Sequence, residues 1–149
     1  MNKFRYTDTT TNFYEIYKSY IQPKIQNLDL LLKTSTAPFD IEEVISVLDI
    51  SRKEFLAIQQ ELEIDEIDKK SFFKILNSST SYIGNLVTRQ FQLGTGGIYT
   101  PDSIAHIYAL DPPAVQKAFN ILGYTRATDR NLHIVFKHIS VPKYTFLYQ

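Results

Sequence analysis

The sequence predicts an all-α protein: a single helical domain over residues 1–149 with two related units, each a helix, a turn and a second helix. Three observations predict it. Apolar residues recur at spacings of three and four along the N-terminal segment, the period of one helix face. The stretch Phe39 to Ile64 is echoed, without gaps, 60 residues later by Tyr99 to Tyr124. Four helix starts in these two stretches carry residues of capping type.

The N-terminal segment, residues 1–38, reads as helical. Phe13, Tyr17, Ile21, Ile25, Leu28 and Leu32 make one stripe, and Asn12 followed by Glu15 resembles a capping box. Pro23 is expected to kink the helix or split it, because proline lacks the N–H and crowds the preceding turn. Tyr14, Tyr17 and Tyr20 exceed the needs of one stripe. Core packing is their expected role, with a second copy of the chain as the other candidate. Thr34 to Pro38 form the first linker.

The first unit spans residues 39–64 and the second 99–124. Val44 aligns with Ile104, Val47 with Ile107, Ile50 with Leu110, Phe55 with Val115 and Leu62 with Leu122. In the first unit Asp40 caps one helix, and Ser51 with Glu54 makes a capping box for the next. In the second, Thr100 precedes Pro101 and Asp102, Asp111 precedes Pro112, and Gly123 sits where a C-terminal cap belongs. Between the units, residues 65–98 supply a short helix around Phe72, Ile75 and Leu76. A turn at Asn77–Thr80 follows, then a longer helix carrying Ile83, Leu86, Val87 and Phe91 that ends near Gly94. Residues 94–98 read as a flexible connection. In the C-terminal segment, residues 125–149, Leu132, Ile134 and Phe136 alternate as in a strand, yet the same run fits a short helix. A hairpin turning at Asp129-Arg130-Asn131 would make a small C-terminal wing. Pro142 ends this element, and the tail YTFLYQ is expected to dock on the surface.

Composition excludes several classes. Hydrophobic residues are 44% and aromatics 13%, enough to fill a core and too many for a disordered chain. There is no cysteine, so disulfides, thiolate catalysis and cysteine-based zinc sites are excluded. Apolar runs are short, as at Leu30-Leu31-Leu32, so no membrane contact is expected. The start MNKFRYTDTTTN lacks an apolar stretch of secretory type, and the expected location is cytoplasmic. Sixteen basic and sixteen acidic residues cancel overall but not locally. Residues 1–38 carry +2, residues 39–70 carry −6 and residues 71–149 carry +4. The acidic stretch over residues 61–70 reads as a solvated face.

Residues 104–119, IAHIYALDPPAVQKAF, resemble the helix-turn-helix of bacterial repressors and activators. Ile104-Ala105, Ala109, Leu110, Asp111-Pro112 and Val115 occupy the places where that motif holds its opening pair, turn, cap and core residues. Ala105 is small where the second helix crosses above it. The first unit matches more loosely, with Ile45 at the small position, Asp49 in the turn and Phe55 at the valine position. The resemblance implies DNA as partner, with the N-terminal part of the second helix in the major groove. The residues then expected at the interface are Pro113, Ala114, Gln116, Lys117 and Asn120, with Arg126 and Arg130 on the phosphates and Lys137 close behind. The implied role is that of a small transcriptional regulator, a homodimer joined or braced by its N-terminal helix. The first unit suits DNA poorly because its charge repels phosphate. Leu56 stands where the second unit has Gln116, so Leu56 and Gln59 suit a protein partner, and an interaction module is the alternative.

No enzyme chemistry is expected. His106, His133 and His138 lack the spacing of a metal set. Gly94-Thr95-Gly96-Gly97 is not followed by the Lys-Ser/Thr of a phosphate loop and reads as a linker. Ser78, Ser79 and Ser81 lie in no nucleophile motif. No metal and no cofactor are expected.

Overall fold

A computed structural model gives the structure of the protein and describes residues 10–142. The described residues are mainly helical. After β1 (Thr10–Asn12) the Asn12 side chain accepts from the Glu15 N–H at 3.1 Å and starts α1 (Phe13–Ile16). A π-helical turn, Tyr17–Ile21, follows, and then α2 (Gln22–Thr34), with Pro23 in its first turn. The expected split at Pro23 therefore takes the form of a widened turn before the proline. Widening shifts the buried face: Phe13, Ile16, Ile21, Leu28 and Leu31 are buried, whereas Ile25 and Leu32 of the expected stripe are only half-buried.

Next come α3 (Ile41–Leu48), α4 (Arg52–Glu61), α5 (Lys69–Ser78) and α6 (Tyr82–Leu93). β2 (Ile98–Tyr99) leads into α7 (Pro101–Tyr108) and α8 (Pro112–Leu122). β3 (Ala127–Thr128), α9 (Leu132–Lys137) and β4 (Ser140–Pro142) complete the described chain. The two short sheets are antiparallel. β1 pairs with β4, Thr10 opposite Pro142, and β2 pairs with β3, Tyr99 opposite Ala127. The YTFLYQ tail lies outside the described residues.

The chain divides into two compact units. One is Ile21–Thr88. The other joins the segment up to Tyr20 with the segment from Arg89 onward. In the first, Phe39 meets Phe72 edge to face at 6.1 Å, among buried Val44, Leu48, Phe55, Ile75 and Ile83. Gly84 of α6 belongs to this packing. A Cβ there would fall 1.9 Å from the Oγ of Ser79, which is itself buried and donates to the Leu76 carbonyl at 2.8 Å. In the second unit Phe13, Tyr17, Tyr108 and Phe136 form an aromatic cluster with centroids 4.9 to 6.2 Å apart. Tyr17 thus packs in the core, as expected. Tyr14 lies beside His133, under the Lys137 ammonium at 5.0 Å.

The 60-residue echo is a repeat of backbone geometry. α3 and α7 are each eight residues long and end on a left-handed residue, Asp49 (φ 57°) and Ala109 (φ 54°). Ile50 N–H donates to the Ile45 carbonyl and Leu110 N–H to the Ala105 carbonyl, at 3.3 and 2.9 Å. Both second helices also run out through a left-handed residue, Glu63 (φ 54°) and Gly123 (φ 70°). Four of the five aligned apolar pairs are buried in both copies; in the fifth, Leu62 is exposed and Leu122 half-buried. Each copy borrows a cation for the end of its first helix. Lys24 Nζ donates to the Ser46 carbonyl at 2.9 Å, and Arg89 Nε to the Ile107 carbonyl at 3.0 Å.

Some expectations are corrected. Ser51 accepts from the Glu54 N–H at 3.0 Å, but the Glu54 carboxylate turns away to the Thr80 N–H and hydroxyl at 2.7 and 3.0 Å, so the box is half made. Asp111 makes no side-chain cap; Pro113 at the second helical position removes one of the two N–H groups that such a cap accepts. Full capping boxes occur instead at Asp68 with Ser71 and Thr100 with Ser103. Phe91 is 69% exposed and lies off the buried face of α6. The wing hairpin does not form. Leu132, Val135 and Phe136 are buried on one face of α9, and Phe136 joins the aromatic cluster. That helical contact wins over the alternation of Leu132, Ile134 and Phe136. The strand before α9 pairs with β2 instead.

Candidate nucleic-acid interface

The expected interface centres on α8. Val115, Ala118 and Phe119 are its buried face. Pro113, Gln116, Lys117 and Asn120 are exposed on the other side, as helical spacing dictates. Ala114 is half-buried, because it stands one turn before Ala118 at the edge of the packed face. Gln116 Nε2 donates to Asn120 Oδ1 at 3.0 Å, so this i,i+4 pair is oriented before any partner arrives. The Asn120 amide hydrogens and the Gln116 carbonyl point of the pair keep their outward bonding capacity.

Arg126 is exposed between α8 and β3, and Arg130 is exposed in the turn between β3 and α9. No ion pair within the described residues engages Lys117, Arg126 or Arg130. The Asp111 carboxylate stands exposed at the start of α8 and lowers the appeal of that helix end to a phosphate. Two further exposed cations lie beyond the helix, at Arg126 and Arg130. The described part of this unit has six basic and four acidic residues, whereas Ile21–Thr88 has seven and eleven.

In the other helix pair, Leu56 is 49% exposed and Gln59 half-buried. With Gln60, Glu63, Ile64 and Asp65 they line a surface depression of about 680 Å³. Arg52 pairs with Glu42 at the start of α4, which spends the nearest cation on the protein itself. Glu61, Glu63, Asp65, Glu66 and Asp68 are exposed, a solvated acidic face. His106, His133 and His138 are all exposed; the His138 Nδ1 lies 2.9 Å from the Ile134 carbonyl. No helix among the described residues is long and apolar enough to cross a membrane.

One concave feature was not anticipated from the sequence. The Gly94–Gly97 run, expected to be a plain linker, lines a depression of about 440 Å³ with Gln90, Phe91, Tyr99 and Asp129. Tyr99 and Asp129 are 30 residues apart, and only the β2–β3 pairing brings them together. No family model matches the chain, and no curated protein or solved structure matches it either.

Proposed function

We propose that the protein binds duplex DNA sequence-specifically through α8 and the segment that follows it, as a small transcriptional regulator, probed most directly at Gln116 and Arg126. The observation that carries this reading is a set of unspent cations in and after α8. Lys117, Arg126 and Arg130 are exposed and unpaired within the described residues, and α8 itself carries an exposed, pre-oriented Gln116–Asn120 amide pair. Cations position a protein on the phosphates, and paired amides suit the N6 and N7 edge of adenine. The local repeat geometry supports the resemblance to the bacterial motif, since a left-handed residue in a three-residue turn sets the crossing of its two helices. Homodimer formation belongs to the same proposal, because such motifs bind two half-sites as dimers.

The test is fluorescence anisotropy with selected and random duplexes. Gln116→Ala is expected to cost about 1–3 kcal/mol at the preferred site and little on random sequence. Arg126→Ala is expected to weaken both alike. Binding weaker than about 100 μM to every duplex at physiological salt overturns the reading, because nonspecific binders reach that range.

A second reading rests on Leu56. An exposed leucine beside a depression, on the unit with the acidic excess, suits a protein partner rather than a base edge. Capture of a partner lost on Leu56→Ser, in a protein that shows no duplex binding, would favour it.

A further inference from the structure

The exposed face of α8 is two rows of side chains, each stepping by one helical turn. Gln116 and Asn120 make one row, and Pro113, Lys117 and Ile121 make the other. The core makes no use of Ile121, which is 59% exposed and lies across the helix from the buried Phe119. These five side chains are two amides, one ammonium and two apolar groups, with neither an arginine nor a carboxylate among them. The face thus lacks the guanidinium fork that most often reads guanine and the carboxylate that accepts from the cytosine N4. Lys117 is a point charge without that fork, and a phosphate oxygen serves it equally well. The bond from Gln116 Nε2 to Asn120 Oδ1 leaves the Gln116 carbonyl oxygen as an acceptor and the Asn120 Nδ2 as a donor. Adenine presents the complement, an N6 donor beside an N7 acceptor. Guanine presents two acceptors and would leave the Gln116 oxygen without a donor.

We propose that the site read by α8 is rich in A·T pairs, with the linked amides on adenine and Ile121 against the C5-methyl group of a thymine. This rests on the assignment of duplex DNA to α8 and narrows it to a class of base pair. In the major groove the thymine methyl is the apolar group among hydrogen-bonding base edges. An isoleucine that faces water gains by covering it, whereas a phosphate has no use for that side chain. Arg126 and Arg130 supply charge that is blind to sequence, so the preference comes from the helix face.

The experiment selects duplexes of about 20 base pairs, two helical turns, from a random pool with the whole protein, and measures anisotropy on the tightest. The selected sites are expected to be rich in A·T. Each thymine is then replaced singly by deoxyuridine, which removes only the methyl group. Replacing the contacted thymine is expected to weaken wild-type binding by about fourfold, the worth of one buried methyl. Ile121→Ala is expected to bind the thymine and deoxyuridine duplexes alike, and an unchanged thermal melt shows that its fold persists. Selection of G·C-rich sites, or wild-type indifference to every deoxyuridine, overturns this inference and leaves DNA binding standing. A deoxyuridine effect that persists in Ile121→Ala overturns the role of Ile121. No enrichment and no duplex binding removes the DNA reading itself, and the base preference with it.

Discussion

At the scale of single residues, pattern and outcome agree where a residue acts on its immediate neighbours. Asn12, Asp40, Ser51 and Thr100 each cap the helix that their position predicts. They diverge where a side chain has a better partner far away in sequence. Glu54 leaves its capping box for Thr80, 26 residues on, and no local rule foresees that. Tyr99 and Asp129 are the same case. Burial, then the bond to Asp129 and its charge, hold the Tyr99 phenol above the usual 10.0. Burial first, then the Asp129 charge, does the same to Tyr17. The folded protein therefore keeps these protons at a pH where the unfolded chain has lost them. Below pH 10 both states are protonated, and the contribution to stability is complete. Above it, the unfolded state binds fewer protons, and stability falls until the folded pKa is passed. Denaturant unfolding on either side of pH 10 checks this. Wild type is expected to lose stability more steeply than Tyr99→Phe, which lacks the ionisable group and starts about 1 kcal/mol lower for the lost hydrogen bond. Parallel pH curves for the two proteins would sink the argument.

At the scale of elements, the helix pairs were legible because their information is local: caps, apolar period and a fixed 60-residue offset. The ambiguous run at Leu132–Phe136 was not, because strand and helix each bury a plausible set. The choice was made by a partner outside the run, the cluster of Phe13, Tyr17 and Tyr108 that Phe136 completes. The turns of the two pairs carry their own consequence. Both place a residue other than glycine in the left-handed region, and alanine has no side chain that helps it there. Asp49 is better suited, since short polar side chains tolerate that conformation. Ala109→Gly is expected to stabilise the protein by about 1 kcal/mol, the relief of left-handed strain less the extra entropy of glycine. Asp49→Gly is expected to gain less. Thermal or denaturant unfolding of both variants decides it. Destabilisation by Ala109→Gly would mean that the turn is not held in this conformation.

At the scale of the whole molecule, the sequence showed the charge asymmetry but not how the chain divides. Periodicity reads neighbours, whereas the discontinuous unit depends on closing its ends, with Thr10 opposite Pro142 in a strand pair that no local pattern announced. The division matters for function because it separates the cations. Lys117, Arg126, Arg130 and Lys137 belong to the unit with the basic excess, while Lys69, Lys70 and Lys74 sit with eleven acidic residues in the other. Each phosphate neutralised on duplex DNA contributes about −0.9 to the slope of log K against log salt. If only the four cations from α8 to α9 touch phosphate, the slope per chain is no steeper than about −3.6. Arg126→Ala and Arg130→Ala are each expected to flatten it by about 0.9, and Lys70→Ala to leave it unchanged. Anisotropy titrations over a series of salt concentrations measure this directly. A steeper slope that Lys70→Ala or Lys74→Ala reduces would place phosphate on Ile21–Thr88 and move the interface off α8, because an acidic surface contributes to such a slope only where its lysines are themselves in contact.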